Sequence, residues 1–289
     1  MSDLLQLVFS GLAQGAVYGL IALGFVAIFA VREIVNLAQG EYAALAGLSA
    51  ISAVTAGVPL LPAVVLVVPM VVMVAVLIER LCIAPIRKMT PLLSIILTLG
   101  ISTALKAIML LIWGPQARGL PAFPGRDIVL AGVSIRSQEL WILGISAVVG
   151  AAVVWAYEHT LLGKAMRACA EQPVAARLVG ISPRMATMIA FGVAGFVGAV
   201  AGLVGSPIYF SSWDYGLGLG LKGFVAATLG GLVSLRVALF GGLLLGVLEN
   251  LVAGYIDTGY RDAVAFLVLL LVLLVRPQGL VLKASAARV

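Results

Sequence analysis

Between Tyr42 and Ile78 the chain carries no Asp, Glu, Lys or Arg. A bilayer core takes about 20 apolar residues per helical span, so this single run is long enough for two passes. Leu4–Val31, Leu140–Tyr157 and Met185–Trp213 are equally free of charge. Only 10% of the 289 residues are charged and 63% are hydrophobic, whereas a soluble domain carries roughly 25% charged residues. With a mean hydropathy of +1.19, the chain reads as all-α: a polytopic transmembrane helix bundle of eight or nine spans, some of them short or broken.

The spans are expected at 4–31, 37–56, 59–79, 92–112, 139–157, 185–208, 222–235, 237–255 and 260–275. Gly57 and Pro59 mark the turn between the second and third, and Pro85 and Pro91 bracket the next loop. Segment 222–235 is the weakest: at about 1.5 Å per residue it reaches only ~21 Å, short of the ~30 Å core. It reads as a tilted short span, a broken helix or a re-entrant piece. The flank Met1-Ser2-Asp3 has no basic n-region, so the first run is a retained helix, not a cleaved signal.

Basic residues orient the bundle. Arg80, Arg87 and Lys88 share one loop, and Lys164, Arg167, Arg177 and Arg184 share another. Both loops are placed in the cytosol by the positive-inside bias, against the smaller count of Arg118, Arg126 and Arg136 in 113–138. The N-terminus is then outside, and the tail with Arg276, Lys283 and Arg288 inside. The net charge of +6 belongs to these loops and is no nucleic-acid footprint. Cys82 and Cys169 fall on the cytosolic side as reduced thiols, and His159 is the only histidine, which leaves zinc, haem and iron–sulfur chemistry without ligands. Walker A, GxSxG and HExxH patterns are absent from the sequence, so energy for pumping has to come from a partner or an ion gradient.

Gly11, Gly15 and Gly19 lie on one face of the first helix, and Gly198/Gly202 and Gly242/Gly246 repeat the spacing. Such faces let helix backbones approach closely in lipid and report packing, not function. Gly40–Gly47 aligns without gaps to Gly223–Gly230, with both glycines and two alanines matched. Paired interrupted helices in two halves of a transporter produce that kind of repeat, as does chance in a Gly- and Ala-rich chain. Gly216-Leu-Gly-Leu-Gly220 reads as a flexible or closely packed turn.

Polar residues inside the apolar runs are the candidates for mechanism. Asn36, Gln39 and Glu41 open the second span: either Asn36 or Gln39 caps the helix and Glu41 is a solvated first-turn acid, or the three line a cavity or gate. Glu249 and Asn250 stand deep in an uncharged stretch, Glu249 about 18 Å from Arg236 along the helix axis. They read as an interhelical or snorkelling pair, or as part of a pathway. Lys106 and Lys222 are close enough to outer helix ends to snorkel.

Residues 158–184 form the longest hydrophilic, basic insert. Pro173 suits the first position of a helix, Val174–Val179 continue it and Gly180 stops it. Two turns of helix are too short to stand alone in water; this piece lies on the bundle or docks a cytosolic protein.

Several of these segments resemble permeases of branched-chain amino acid ABC importers of the LivH type. The resemblance rests on Asn36-Leu-Ala-Gln-Gly-Glu41, on Gly163-Lys-Ala-Met-Arg-Ala168 with Pro173, Ala175, Ala176 and Gly180-Ile181, on Gly230-Gly231…Gly241-Gly242…Gly246…Glu249, and on Arg276-Pro-Gln-Gly-Leu280. It implies one transmembrane permease domain over 1–289 with a cytosolic ATPase-coupling loop at 158–184, in the bacterial cytoplasmic (inner) membrane. The implied partners are a LivM-like second permease, two cytosolic ATPase subunits and a periplasmic solute-binding protein. The chain itself would be no enzyme and bind no cofactor; ATP and Mg would be used by the ATPases. Gly163, Arg167, Glu171, Pro173, Ala175, Ala176 and Gly180 become coupling residues, and Asn36, Gln39, Glu41, Glu249 and Asn250 pathway or gate residues. The implied solute is a branched-chain amino acid, with urea, short amides or another amino acid as family alternatives. Gradient-driven transport, a channel or scaffold, and a membrane enzyme are the competing classes.

Overall fold

The computed structural model describes residues 2–86, 89–130 and 133–275. Arg87, Lys88, Arg276, Lys283, Arg288 and the Arg276–Leu280 motif lie outside the described residues. Each long apolar run forms helix: α1 is Ser2–Arg32, α2 Gln39–Thr55, α3 Leu60–Ile78, α4 Pro91–Trp113 and α5 Ser137–His159. Then come α6 Leu161–Glu171, α7 Pro173–Leu178, α8 Pro183–Tyr209, α9 Tyr215–Leu229, α10 Leu235–Tyr255 and α11 Arg261–Val275. A π-helical turn, Glu79–Ile83, prolongs α3. Six helices among the described residues are long and apolar enough to cross a membrane: α1, α3 with its extension, α4, α5, α8 and α10. The helix bundle is therefore as expected, apart from a small antiparallel hairpin, β1 Ile128–Leu130 and β2 Val133–Ile135.

Segment 222–235 is corrected. The helix there is α9, which starts at Tyr215 and ends at Leu229. Gly216–Gly220, expected to be a turn, forms its first turns, because these glycines let α9 press directly on α2: a Cβ on Gly40 would strike the Gly216 carbonyl.

Four helices that begin on one face of the bundle start at hydroxyl caps. Thr90 Oγ1 accepts from the Leu93 N–H (3.2 Å), Thr160 Oγ1 from Gly163 (3.2 Å), Ser182 Oγ from Met185 (3.5 Å) and Ser234 Oγ from Val237 (3.4 Å). Such a cap satisfies one of the N–H groups that the first turn leaves open. We call this the basic-loop face, since it carries Arg80 and residues 160–184. The start of α1, Gly57 and residues 114–130, 133–136 and 256–260 lie on the opposite, amino-terminal face.

α1 and α10 run antiparallel in backbone contact. A Cβ on Gly15 would lie 2.7 Å from Leu243 Cα, and one on Gly11 2.7 Å from Val247 Cα. The small-residue faces expected from spacing are thus the interface between these two helices. Gly202 presses in the same way on Ala43, joining α8 to α2.

α1–α4 and α8–α11 are two copies of one motif run in opposite directions. α1 packs on α9 and α10, and α8 packs on α2 and α3. α1 and α8 lie antiparallel: Val17 meets Gly205 near one end, and Ile28 shares a cluster with Ala186 and Ala190 near the other. Each of these long helices stops at a non-glycine residue in the left-handed region, Glu33 (φ 55°) and Phe210 (φ 57°). A short re-entrant stretch follows, closed by Gln39 N–H to Asn36 C=O (3.0 Å) in one copy and Tyr215 N–H to Ser212 C=O (3.3 Å) in the other. The half-length helices α2 and α9 end in one type of cap, with Val58 N–H to Ala53 C=O and Gly57 to Val54 matched by Leu232 to Ala227 and Gly231 to Thr228. An internal repeat therefore exists, but its register differs from the sequence alignment by two helical turns. Gly40 corresponds to Gly216, and Gly47 to Gly223.

Candidate functional site

The re-entrant stretch before α2 brings three of the candidate residues into the interior. Asn36, Gln39 and Glu41 are all fully buried. Of the two readings of this stretch, capping by Asn36 or Gln39 does not hold; the N-cap of α2 is Ala38, with no side-chain cap. Asn36 Oδ1 instead accepts from the Ala38 N–H (3.2 Å), an Asx turn that fixes the approach to the helix. Gln39 Nε2 donates to the Ala194 carbonyl (2.9 Å), tying α2 to α8.

Glu41 is not a solvated acid. Its Oε1 accepts from Ser102 Oγ (2.7 Å) and faces Lys106 Nζ at 3.9 Å. Its Oε2 has no hydrogen-bond partner among the described residues and lies against Gly216 of α9. Thr98, Ser102 and Lys106 recur every fourth residue and so share one face of α4, and Thr98 anchors the re-entrant stretch by accepting from Leu37 N–H (3.1 Å). Ser102 lies midway along α4, so Glu41 stands at the middle of a membrane-length helix.

A second polar cluster surrounds Glu249, which is fully buried. Its Oε2 accepts from Tyr18 Oη (2.8 Å), Lys222 Nζ (3.2 Å) and Gln14 Nε2 (3.3 Å). Lys222 also pairs with Asp262 Oδ1 at 2.9 Å, and its ammonium stands 5.5 Å from the centre of the Tyr18 ring. Asn250 extends the cluster: its Nδ2 donates to Gln14 Oε1 (2.9 Å), and its Oδ1 accepts from Arg261 Nη2 (2.9 Å). Snorkelling, expected for Lys106 and Lys222, is corrected: both turn inward, with side chains 18% and 17% exposed, because each neutralises a buried acid. Beside this cluster lies a cavity of about 430 Å³, with Tyr18, Tyr209, Asp214, Tyr215, Lys222 and Asp262 on its wall.

The basic-loop face carries the third group. The helix expected after Pro173 is α7; α6, which precedes it, went unread in the sequence. Three of the proposed coupling residues bind this pair of helices to their own bundle. Gly163 sits on the Tyr157 backbone with no room for a Cβ. Arg167 donates to the carbonyls of Tyr157 and Glu158 and lies 5.4 Å from the Tyr157 ring centre. Ala176 is buried with Met166, Cys169, Ala186 and Ala190. Burial also pushes the Cys169 thiol up in pKa, against a smaller opposing effect from Arg177.

Glu171, Pro173, Ala175 and Gly180 are exposed. Beside them Leu161 (82% exposed), Leu162, Val174, Leu178 (85%) and Val179 form an apolar surface. Next to it a groove of about 1080 Å³ opens between the end of α1 and α6–α7, bordered by Arg32, Arg167, Arg177 and Arg184.

Sequence reading missed Gln14, Tyr18, Ser102 and Asp262 as members of the polar clusters. Gln14 and Tyr18 stand one turn apart in an otherwise apolar run, a spacing that puts both on one helix face and could have exposed them. Among the described residues no group of three or more His, Cys, Asp or Glu is placed to hold a metal ion.

Comparison with known proteins gives a consistent result. The family described as "Branched-chain amino acid transport system / permease component" matches residues 7–273. The chain is 32% identical to the high-affinity branched-chain amino acid transport system permease protein LivH of Salmonella typhimurium, over 99% of this chain and 97% of that one. It is 31% identical to BraD, the corresponding permease of Pseudomonas aeruginosa, over 99% and 98%. The autoinducer 2 import system permease protein LsrC of Salmonella paratyphi B is 32% identical over 62% of this chain and 54% of its own length. Among solved structures, a chain of PsaBC from Streptococcus pneumoniae in complex with Fab shares the fold, with a TM-score of 0.52 over 93% of this chain and 91% of that one, at 11% identity.

Proposed function

Because the chain belongs to the family of branched-chain amino acid transport permeases, we propose that it is the membrane-spanning permease subunit of an ATP-driven importer for Leu, Ile and Val. The observation that carries this reading is the similarity to LivH over nearly the full length of both chains. In it the chain sits in the inner membrane with its N-terminus outside and its basic-loop face in the cytosol. α2 and α9 serve as half-length spans that raise the count beyond the six long helices. A LivM-like second permease, two ATPases and a periplasmic solute-binding protein complete the assembly.

α6 and α7 are the proposed coupling element, spanning the middle of the 158–184 insert. Glu171, Pro173, Ala175 and Gly180 face outward with the apolar side chains of Leu161, Val174 and Leu178. An ATPase groove would cover these, and movement of the ATPases would pass through the inward anchors Gly163, Arg167 and Ala176 into α5 and α8. Asn36, Gln39 and Glu41, at the crossing of α2 with α9, are the proposed gate, and Glu249 and Asn250 the pathway residues on the other side.

Purification of the tagged chain in mild detergent tests the assembly: two ATPases and a second permease are expected with it. The reconstituted complex should take up leucine only with ATP and the binding protein present. A chain that purifies alone and supports uptake from an ion gradient would overturn the reading. Coupling is tested at Val174 and Leu178, since a large residue at Ala176 would disrupt the chain's own packing. Val174→Asp with Leu178→Asp should lose the ATPases while the permease stays folded.

A further inference from the structure

The geometry points to the 430 Å³ cavity beside Lys222 as a binding site within the permease for one aliphatic α-amino acid in its zwitterionic form. This deepens the proposed function and rests on its reading of the chain as an amino-acid permease.

Four observations carry it. The volume lies in the range of about 300–1000 Å³ typical of small-ligand pockets. The wall is chemically divided: Lys222 offers a cation, Asp214 and Asp262 offer carboxylates, Tyr18, Tyr209 and Ser212 offer hydroxyls, and Val17 and Leu219 are apolar. An α-amino acid with a branched aliphatic side chain presents the matching set of carboxylate, ammonium and hydrocarbon.

The third observation is the inequality of the two acids on Lys222. Glu249 is fully buried behind it, whereas the Asp262 side chain is 75% exposed. The buried acid is a fixed countercharge and the exposed one is exchangeable. A solute carboxylate that takes the place of Asp262 leaves Lys222 fully paired. The exchange frees Asp262 to join Asp214 opposite the solute ammonium. One charged pair replaces another, so no ion is stripped of its partner on binding.

The fourth is Gly218, which lines the cavity and has open space where its Cβ would point. A side chain added there would meet no neighbour at its first carbon. The Glu41 cluster provides the contrast: it also holds a buried acid and a lysine, but a Cβ on Gly216 would touch the Glu41 carboxylate.

The test uses the reconstituted complex with Cys82→Ala and Cys169→Ala. Gly218→Cys is labelled with a charged methanethiosulfonate, and Thr258→Cys, exposed on the same face, serves as the control. Saturating leucine is expected to slow labelling at 218 at least fivefold and to leave 258 unchanged. Gly218→Trp, whose Cβ meets no neighbour, should cut leucine uptake at least tenfold in a fully assembled complex. If leucine gives no protection at 218, or if Gly218→Trp transports normally, the site is overturned and the transport reading stands. A wild-type complex that moves no amino acid overturns the transport reading, and the site with it.

Discussion

Two of the buried acids of this chain, Glu41 and Glu249, each face a lysine but are held differently. Glu41, on half-helix α2, reaches across to Ser102 and Lys106 on α4. In the inverted copy the polarity is exchanged: half-helix α9 carries the cation, Lys222, which reaches to Asp262 on α11 and Glu249 on α10. The first pair is long, 3.9 Å, and closed over by the backbone of α9. The second is at hydrogen-bond distance, more heavily bonded and open to a cavity. An inverted repeat thus preserves helix packing while allowing the chemistry of its two halves to diverge, one towards a joint and the other towards a compartment.

The largest effect that would break this comparison is expected from Lys222→Met. It strands Glu249 as an unpaired buried charge, a loss of about 3–5 kcal/mol, and should appear as failure to recover folded permease in detergent. Gly216→Leu comes next. The added side chain collides with Glu41 and the backbone of α2, and overpacking of this kind costs about 1–3 kcal/mol, read as a lower Tm of the purified complex.

A double-mutant cycle sharpens the contrast further. The coupling of Glu41 with Lys106 should be about 1 kcal/mol or less at 3.9 Å, and the coupling of Lys222 with Glu249 at least twice that. The smallest effect is expected from Asp262→Asn, where exposure limits the change to about 0.5 kcal/mol. A large loss of stability in that variant would show that Asp262 is structural and not exchangeable.

The membrane class, the long helices and the glycine faces were legible because each depends on one chain segment at a time. α1 and α8 announce themselves as uncharged runs, and Gly11, Gly15 and Gly19 as a repeat on one helix. α9 was misplaced because its first turns are glycines, whose use there is set by the close approach of α2, a fact of tertiary structure. Glu41 and Glu249 could be named from their isolation in apolar sequence. Their partners could not, because Ser102, Lys106 and Lys222 become partners only through the crossing of helices distant in the chain. The repeat was visible as similarity, but many glycines and alanines allowed a register two turns off. The proposed coupling residues split on the same ground: the resemblance marks Gly163, Arg167 and Ala176 alongside Glu171, Pro173, Ala175 and Gly180, and only the packing separates those that face inward from those that are exposed.

Two antiparallel copies of one motif make a frame that looks much the same from above and below. α5, α6 and α7 lie between the copies and have no counterpart among the described residues. Turned upside down, the frame would still fit itself; the insert would not. Among the described helices, the fold's sense of direction therefore resides in the connector between its halves.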